Sequence, residues 1–223
     1  MTTATPSQIQ QTILDARFLP LFSTADVGIA KTVVQASYNA GVKAFEFTAR
    51  TENAAALFAE LKRFCSAQLP DLLLGIGTIK NKNQAQQFID LGADFLVSPL
   101  LLPEIFDVAQ QHQTLWIPGC ATATEIGTAE NWGLSLVKIF PARQLGGPPF
   151  IKAVKAVFPH MKFLATGGVE PTEEDLRGWF ESGVAAAGIG SQLFPNEMLT
   201  DSNALYAHLK KITDFIERYK PAP

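Results

Sequence analysis

One lysine of this sequence stands inside an otherwise apolar segment. Lys138 lies in the middle of Ser135–Phe140 (SLVKIF), whereas the other lysines fall at the starts of apolar runs, in helical patterns or in turns. An ammonium group is costly to bury, and burial lowers the pKa of a lysine toward neutrality, which leaves a nucleophilic free amine. Lys138 is therefore a candidate for covalent catalysis on a carbonyl substrate.

A glutamate occupies a similar position in a second apolar segment. Glu46 lies between Phe45 and Phe47, and alternation along a strand puts the two rings on the face opposite to the carboxyl group. The same alternation puts Val137 and Ile139 on the face opposite to the Lys138 side chain. Apolar faces should pack against helices, so Glu46 and Lys138 should both point to the other side. A carboxylate near a lysine can move protons during carbonyl chemistry; the alternative is a purely structural ion pair.

Short apolar runs alternate with amphipathic stretches along the whole chain and predict strands alternating with helices. Helical periodicity is clear in Ala54–Phe64 and Asn83–Leu91, and Pro171–Glu174 (PTEE) is typical of a helix start. Eight runs predict strands: Phe18–Phe22, Lys43–Thr48, Leu72–Gly77, Asp94–Ser98, Thr114–Ile117, Ser135–Phe140, Lys162–Thr166 and Val184–Ile189. Four glycines fall where a helix should end before the next strand: Gly41, Gly92, Gly133 and Gly183.

Eight strands, each followed by a helix, predict an α/β protein with a (β/α)8 TIM barrel, an N-terminal helix and one domain over residues 1–223. The alternative is a doubly wound open sheet. Neither Gly75–Gly77 nor Gly188–Gly190 continues into the third glycine of a dinucleotide-binding fingerprint.

The active site of such a barrel forms at the carboxyl ends of its strands. Glycines after the last two strands would let backbone N–H groups approach an anion, and a following helix N-terminus would add a favourable dipole. These loops therefore predict a phosphate site, with plain tight turns as the alternative. Because neither loop contains a lysine or arginine, the site should rely mainly on backbone N–H groups and the Ser191 hydroxyl. The polar or glycine positions at the strand ends are Glu46, Thr48, Arg50, Thr78, Ser98, Lys138, Thr166, Gly167, Gly168, Gly190 and Ser191.

Composition excludes several other classes of protein. The formal charge of −3 gives no basic field for nucleic acid, and no apolar run reaches the ~18 residues that a membrane span needs. The polar N-terminal segment lacks the layout of a signal peptide, so we expect a cytoplasmic protein without a membrane partner. Cys65 and Cys120 predict neither a disulfide nor a zinc site. The histidines His112, His160 and His208 lie away from the strand ends, which predicts no metal site.

Several motifs, in this order and spacing, resemble one enzyme family between about Phe18 and Phe194. The chain is similar to the class I 2-keto-3-deoxy-6-phosphogluconate (KDPG) aldolases, also called 2-keto-4-hydroxyglutarate (KHG) aldolases. The motifs that carry the resemblance are Phe45–Thr51 (FEFTART), Gly75–Thr78 (GIGT), Val97–Pro99 (VSP), Ile117–Gly119 (IPG), Val137–Ala142 (VKIFPA), Thr166–Gly168 (TGG) and Gly190–Ser191 (GS).

The resemblance implies a trimeric barrel lyase without a metal or organic cofactor. It implies cleavage of KDPG, a keto-acid sugar phosphate, to pyruvate and glyceraldehyde 3-phosphate. Lys138 would form the Schiff base and Glu46 would shuttle protons. The implied binding residues are Arg50 and Thr78 for the substrate carboxylate, Pro99 and Phe140 for the pocket wall, and Thr166, Gly167, Gly168, Gly190 and Ser191 for the phosphate.

The sequence departs from the family pattern in ways that leave the substrate open. Pro118–Glu125 (PGCATATE) and Gly146–Ala153 (GGPPFIKA) resemble the 6-phosphogalactonate branch, whereas FEFTART resembles the gluconate branch. Arg143 stands where an acidic or small residue is expected. The galactonate epimer and 4-hydroxy-2-oxoglutarate are therefore alternative substrates. A non-catalytic barrel that binds a phosphorylated metabolite is an alternative of another class, although simple binding would need neither Lys138 nor Glu46.

Overall fold

The computed structural model describes residues 4–219, and the predicted domain ends, residues 1 and 223, lie outside that range. Its strands are β1 (Phe18–Phe22), β2 (Ala44–Thr48), β3 (Leu73–Gly77), β4 (Phe95–Val97), β5 (Leu115–Ile117), β6 (Gly119–Cys120), β7 (Leu136–Ile139), β8 (Lys162–Thr166) and β9 (Ala186–Ile189). Its α-helices are α1 (Pro6–Ala16), α2 (Val27–Asn39), α3 (Ala54–Gln68), α4 (Lys82–Asp90), α5 (Pro103–Gln111), α6 (Ala123–Asn131), α7 (Pro148–Val157), α8 (Glu173–Glu181) and α9 (Ser202–Arg218). All eight predicted strands are confirmed, with ends within two residues.

The strands form one parallel sheet in the order β5-β4-β3-β2-β1-β9-β8-β7-β6. The two edge strands of this order, β5 and β6, are separated only by Pro118. Ile117, at the end of β5, accepts a hydrogen bond of 3.1 Å from Ser98 N–H, which directly follows β4. The next carbonyl, that of Pro118, accepts a hydrogen bond of 2.8 Å from Lys138 N–H of β7. One continuous segment thus pairs with β4 and then with β7, which closes the sheet into the predicted (β/α)8 barrel. The open doubly wound sheet is wrong.

Proline explains why this segment is divided. Pro118 has no N–H to offer a neighbouring strand, so the regular ladder is interrupted where the chain passes from one partner to the other. The next residue, Gly119, lies so close to the end of β4 that an added Cβ would stand 2.6 Å from Pro99 O and 2.8 Å from Ser98 O. The closure therefore depends on a residue without a side chain at position 119.

Alternation along the strands divides the core into two apolar layers. Phe45, Phe47, Val137 and Ile139 belong to the layer between the barrel and its helices, as predicted. The layer inside the barrel comes mainly from the amino-terminal parts of the strands, and Ile9 and Ile13 of α1 cover it at that end. Its strand residues are Leu19, Ala44, Leu73, Phe95, Val97, Leu115, Ile117, Leu136, Leu164 and Ala186. The interior apolar layer leaves the carboxyl half of the barrel for polar side chains.

Local signals for helix ends are also confirmed. The Thr172 side chain caps the N-terminus of α8 by accepting a hydrogen bond from Asp175 N–H. The four glycines predicted to end helices all have positive φ angles, between 78° and 98°. Both cysteines are buried and unpaired within residues 4–219, and burial raises the pKa of each thiol to about 12. Within the same residues, no helix combines the length and the apolar character that a membrane crossing requires.

We expect Gly119→Ala to destabilise the protein because the new methyl group would meet backbone atoms of Ser98 and Pro99 that cannot move independently. Overpacking of this kind costs about 1–3 kcal/mol. The matched control is Gly178→Ala on α8, where an added Cβ meets nothing within 4 Å; it should be neutral or stabilising by about 0.5–1 kcal/mol. Urea unfolding of both variants measures the difference, and an equal free energy of unfolding would contradict the steric account of closure.

Candidate active site

Lys138 and Glu46 meet inside the carboxyl half of the barrel. Lys138 lies on β7 and Glu46 on β2, and their side chains are only 7% and 1% exposed. The Lys138 Nζ is 3.9 Å from Glu46 Oε1, a distance that leaves room for direct attraction without a direct hydrogen bond. Neither carboxylate oxygen of Glu46 has a hydrogen-bond partner among the described residues. A buried acceptor of this kind is uncommon and indicates a group held ready for a ligand or water.

Burial shifts the proton affinity of both groups toward their neutral forms. Desolvation lowers the pKa of Lys138, and the Glu46 carboxylate opposes this by raising it, while Arg50 lowers it further. Desolvation raises the pKa of Glu46, and the positive charges of Lys138 and Arg50 oppose that change. For both groups burial is the largest effect, so the pair combines an amine that loses its proton easily with a carboxyl group that can hold one.

Glycines create the space that the glutamate occupies. On β3 the inward positions after Leu73 are Gly75 and Gly77. A Cβ at Gly77 would stand 2.5 Å from the Glu46 carboxyl carbon, and a Cβ at Gly75 would overlap the Phe95 ring. No role was predicted for these two glycines from the sequence. Two glycines on the same face of one strand indicate that another group approaches the backbone there, and this spacing could have identified both positions from the sequence.

The two predicted carboxylate-binding residues follow neighbouring strands. Arg50 is exposed two residues beyond β2 and lies close enough to influence the pKa of both Glu46 and Lys138. Thr78 directly follows β3 and has a φ of +69°. That conformation is unfavourable for a β-branched residue and commonly marks a functional position. The adjoining Thr51 has a buried hydroxyl without a partner within residues 4–219, a site feature that the sequence analysis missed.

The remaining predicted pocket residues surround the lysine. The Phe140 ring centroid is 5.2 Å from Lys138 Nζ, and Pro99 is half-buried after β4. Thr166 at the end of β8 has a buried hydroxyl without a partner in the described part of the chain. An added Cβ at Gly188 on β9 would overlap this hydroxyl oxygen. The Thr166 hydroxyl therefore lies against Gly188 of the neighbouring strand β9 and is available to a ligand.

The loops predicted to bind phosphate follow β8 and β9, which are neighbouring strands. Gly167 and Gly168 have φ angles of 95° and 80°. After β9, Gly190 and the exposed Ser191 lead into a short 3-10 turn, Ser191–Leu193. The structure thus brings the two loops to adjacent strand ends. The next full helix after β8 is α8, whose first turn carries Glu173, Glu174 and Asp175, so an anion at that helix end would face acidic side chains.

Two other polar residues at the strand ends are engaged in structural hydrogen bonds. The Thr48 hydroxyl donates to Phe22 O at 3.2 Å and joins β2 to β1. The Ser98 hydroxyl accepts a hydrogen bond of 2.7 Å from Trp116 Nε1, and Trp116 belongs to the apolar layer under the helices. Both residues therefore stabilise the barrel wall. Across residues 4–219, no three His, Cys, Asp or Glu side chains form a group that could hold a metal ion.

This arrangement can perform amine-based carbonyl chemistry. It provides a buried amine with a lowered pKa, a carboxyl group within reach of a bridging water, and unpartnered hydroxyl groups around them. A primary amine can form an iminium ion with a ketone, and the carboxyl group can then transfer protons to and from the bound substrate. A cationic arginine near the mouth suits an acidic substrate.

Comparisons with known proteins agree with this chemistry. The sequence pattern of the family described as KDPG and KHG aldolase matches residues 9–212. The chain is 37% identical over 153 residues to a 2-dehydro-3-deoxy-phosphogluconate aldolase of Treponema pallidum, covering 69% of this chain and 71% of that protein. It is 36% identical over 151 residues to a 2-dehydro-3-deoxy-6-phosphogalactonate aldolase of Escherichia coli, covering 67% and 70%.

A solved structure of a KDPG aldolase has the same fold as this chain. The KDPG aldolase of Legionella pneumophila, solved with pyruvate captured at low pH as a covalent carbinolamine intermediate, superimposes with a TM-score of 0.80 at 26% identity. The match covers 99% of this chain and 100% of that one. With a matching family pattern, relatives above 30% identity and the same barrel, this chain belongs to the KDPG and KHG aldolase family.

Proposed function

We propose that this protein is a Schiff-base aldolase that reversibly cleaves 2-keto-3-deoxy-6-phosphogluconate to pyruvate and glyceraldehyde 3-phosphate. The observation that carries the proposal is the pair of buried groups, Lys138 and Glu46, at 3.9 Å in the mouth of the barrel. The relatives named above are aldolases for phosphorylated keto-deoxy sugar acids. A barrel that only binds a metabolite would gain nothing from a desolvated lysine beside a desolvated carboxyl group.

The reaction begins with attack of the Lys138 amine on the keto carbon of the substrate. The resulting carbinolamine loses water and becomes an iminium ion, whose positive charge then draws electrons from the C3–C4 bond. Glu46, acting through a water, takes the proton of the C4 hydroxyl as that bond breaks and the aldehyde forms. The bonding electrons remain as an enamine. Protonation of its C3 carbon and hydrolysis then release pyruvate and the free lysine.

The substrate would be held at both ends. Arg50 and Thr78 would bind the carboxylate next to the keto carbon, since Arg50 is the cation whose charge influences both reacting groups. Pro99 and Phe140 would form the wall beside the lysine. At the other end, Thr166, Gly167, Gly168, Gly190 and Ser191 would bind the phosphate through backbone N–H groups and hydroxyls. By its family resemblance, we also propose that the protein is a cytoplasmic homotrimer.

A second candidate substrate is the C4 epimer, 2-keto-3-deoxy-6-phosphogalactonate. The identities to the gluconate and galactonate aldolases are 37% and 36%, and the segment Pro118–Glu125 resembles the galactonate branch. Cleavage rates with both epimers, each with and without the 6-phosphate, and with 4-hydroxy-2-oxoglutarate, which has no phosphate, distinguish these substrates. A preference for the galactonate epimer would replace the first substrate and leave the Schiff-base mechanism unchanged.

Lys138→Ala should abolish both cleavage and formation of a covalent pyruvate adduct, while the protein still folds. Lys138→Arg should be equally inactive because a guanidinium group stays protonated and cannot attack a carbonyl. The measurement is the intact mass after incubation with pyruvate and borohydride. Lys155→Met is the matched control, since burial also lowers the pKa of Lys155 but this lysine lies on α7 and donates to Met161 O. An adduct on either Lys138 variant would refute the assignment.

Glu46→Gln should still form the pyruvate adduct but turn over ~10²–10⁴-fold more slowly, because the amide keeps the shape of the side chain and loses proton transfer. A purely structural role for Glu46 predicts instead a lower melting temperature with an unchanged rate per folded molecule. Measuring kcat together with thermal melting separates the two roles.

Adduct formation should depend on pH through Lys138. Below its pKa the lysine is an ammonium ion and cannot attack, so the rate rises with pH and levels off below the usual lysine value of about 10.4. The Glu46 charge raises the pKa of Lys138, so Glu46→Gln should move the acidic limb of this profile to lower pH. The check is the adduct rate in both proteins across the pH range; a shift to higher pH in the variant would contradict the electrostatic coupling.

A further inference from the structure

Arg143, four residues beyond β7, holds the loop that follows β8. Its backbone N–H donates to Gly167 O at 2.9 Å, and its side-chain Nε donates to Gly168 O. An added Cβ at Gly168 would stand 2.5 Å from the Arg143 Cβ, so the arginine lies directly against this glycine. One residue therefore holds two successive carbonyl groups of the loop that the proposed function assigns to phosphate.

These two bonds determine the orientation of two N–H groups. In a planar trans peptide unit the N–H points opposite to the carbonyl oxygen. Because the Gly167 and Gly168 carbonyls face Arg143, the N–H groups of Gly168 and Val169 point away from it. In the sheet, β8 lies between β7 and β9. The loop after β9, with Gly190 and Ser191, therefore flanks β8 on the side opposite to the strand that precedes Arg143.

A fixed carboxylate in turn holds the arginine. Arg143 Nη2 is 2.5 Å from Asp175 Oδ1. The second oxygen of Asp175 accepts hydrogen bonds from Glu170 N–H at 2.8 Å and from Trp179 Nε1 at 3.0 Å. The guanidinium carbon also lies 5.6 Å from the Trp179 ring. The orientation of Arg143 thus depends on several contacts with α8 and the segment before it.

Charge gives Arg143 a second effect on this part of the barrel. The first turn of α8 carries Glu173, Glu174 and Asp175, and like charges would repel a phosphate approaching the nearby loop. Arg143 is paired with Asp175 and its side chain is 41% exposed. It therefore offsets one of these carboxylates while its guanidinium group remains open to solvent at the rim.

We propose that Arg143 is a positioning residue for the phosphate end of the substrate, which it serves by fixing the Gly167–Gly168 carbonyls so that the following N–H groups face the anion. This inference rests on the proposed aldolase function. The arginine touches the loop rather than the reacting carbon, so it should govern discrimination between phosphorylated and unphosphorylated substrates and leave the chemistry at Lys138 unchanged.

The test compares Arg143→Met and Arg143→Lys with wild type. We expect Arg143→Met to raise KM for the phosphorylated substrate ~10-fold or more with little change in kcat, because a phosphate hydrogen bond is weakened in both ground and transition states. Cleavage of the unphosphorylated analogue and trapping of pyruvate on Lys138 should stay unchanged. Arg143→Lys keeps the charge but not the simultaneous hydrogen bonds to Gly168 O and Asp175. Its KM for the phosphorylated substrate should therefore lie between those of wild type and Arg143→Met. The matched control is Arg177→Met, an exposed arginine of α8 whose guanidinium lies over Tyr219.

Two outcomes would overturn the role of Arg143. One is an Arg143→Met variant that affects both substrates equally or neither; the other is an Arg143→Lys variant that equals wild type, which would reduce the effect to charge alone. A failure of the proposed function is separate, since it would appear as wild-type protein without a pyruvate adduct. In that case the role of Arg143 is decided by the rise in melting temperature that glycerol 3-phosphate causes, with glycerol as the control ligand. The role requires that wild type shows this rise and that Arg143→Met does not.

Discussion

The desolvation of two opposite charges in one half of the barrel is the constraint on which the rest of this structure depends. Removing an ammonium and a carboxylate from water is costly, and an attraction across 3.9 Å only partly offsets the cost. Because the cost of burial outweighs this attraction, the pKa of Lys138 is lowered and its neutral amine form is favoured. The surrounding barrel has to hold the pair in place without supplying the hydrogen bonds that would satisfy it.

Several local features meet this requirement together. The interior apolar layer and α1 exclude water from below, and Gly77 makes room for the Glu46 carboxyl group. Thr78 accepts an unfavourable φ angle at the neighbouring strand end, and the hydroxyl of Thr166 is buried without a partner in the described residues. The glycine within a strand, the unfavourable φ angle and the unpartnered hydroxyl each cost stability. They lie at the same end of the barrel, as expected where a site is prepared for a substrate rather than optimised for folding.

The sequence predicted well whatever depends on local pattern. Alternation around Phe45 and Phe47, and around Lys138, predicted the strands and the faces on which the Glu46 and Lys138 side chains lie. Helix ends followed from glycine and capping residues such as Thr172. The pattern could not show that Pro118 divides one strand between two partners, because that division depends on which neighbours the chain finds in space.

Contacts between distant residues were beyond the pattern for the same reason. Arg143 and Asp175 are 32 residues apart in the chain, and no spacing rule relates them. The two loops predicted to bind phosphate contain no cation of their own, so the sequence predicted a site made mainly of backbone N–H groups and the Ser191 hydroxyl. The structure supplies an arginine to one of these loops from the segment after another strand. The φ angle of Thr78 likewise results from tertiary packing, since no preference of threonine favours it.

The helix α1 across the amino-terminal end of the barrel has a kinetic consequence. Because Ile9 and Ile13 cover that end, the reactants of the aldolase proposed above would reach Lys138 from the carboxyl end of the barrel. In that proposal pyruvate is bonded to Lys138, deeper than the aldehyde, so it would arrive first in the condensation direction and leave last in cleavage. An aldehyde that binds before pyruvate would block its path, so the proposed mechanism would be ordered: excess aldehyde would inhibit condensation, and added pyruvate would relieve the inhibition.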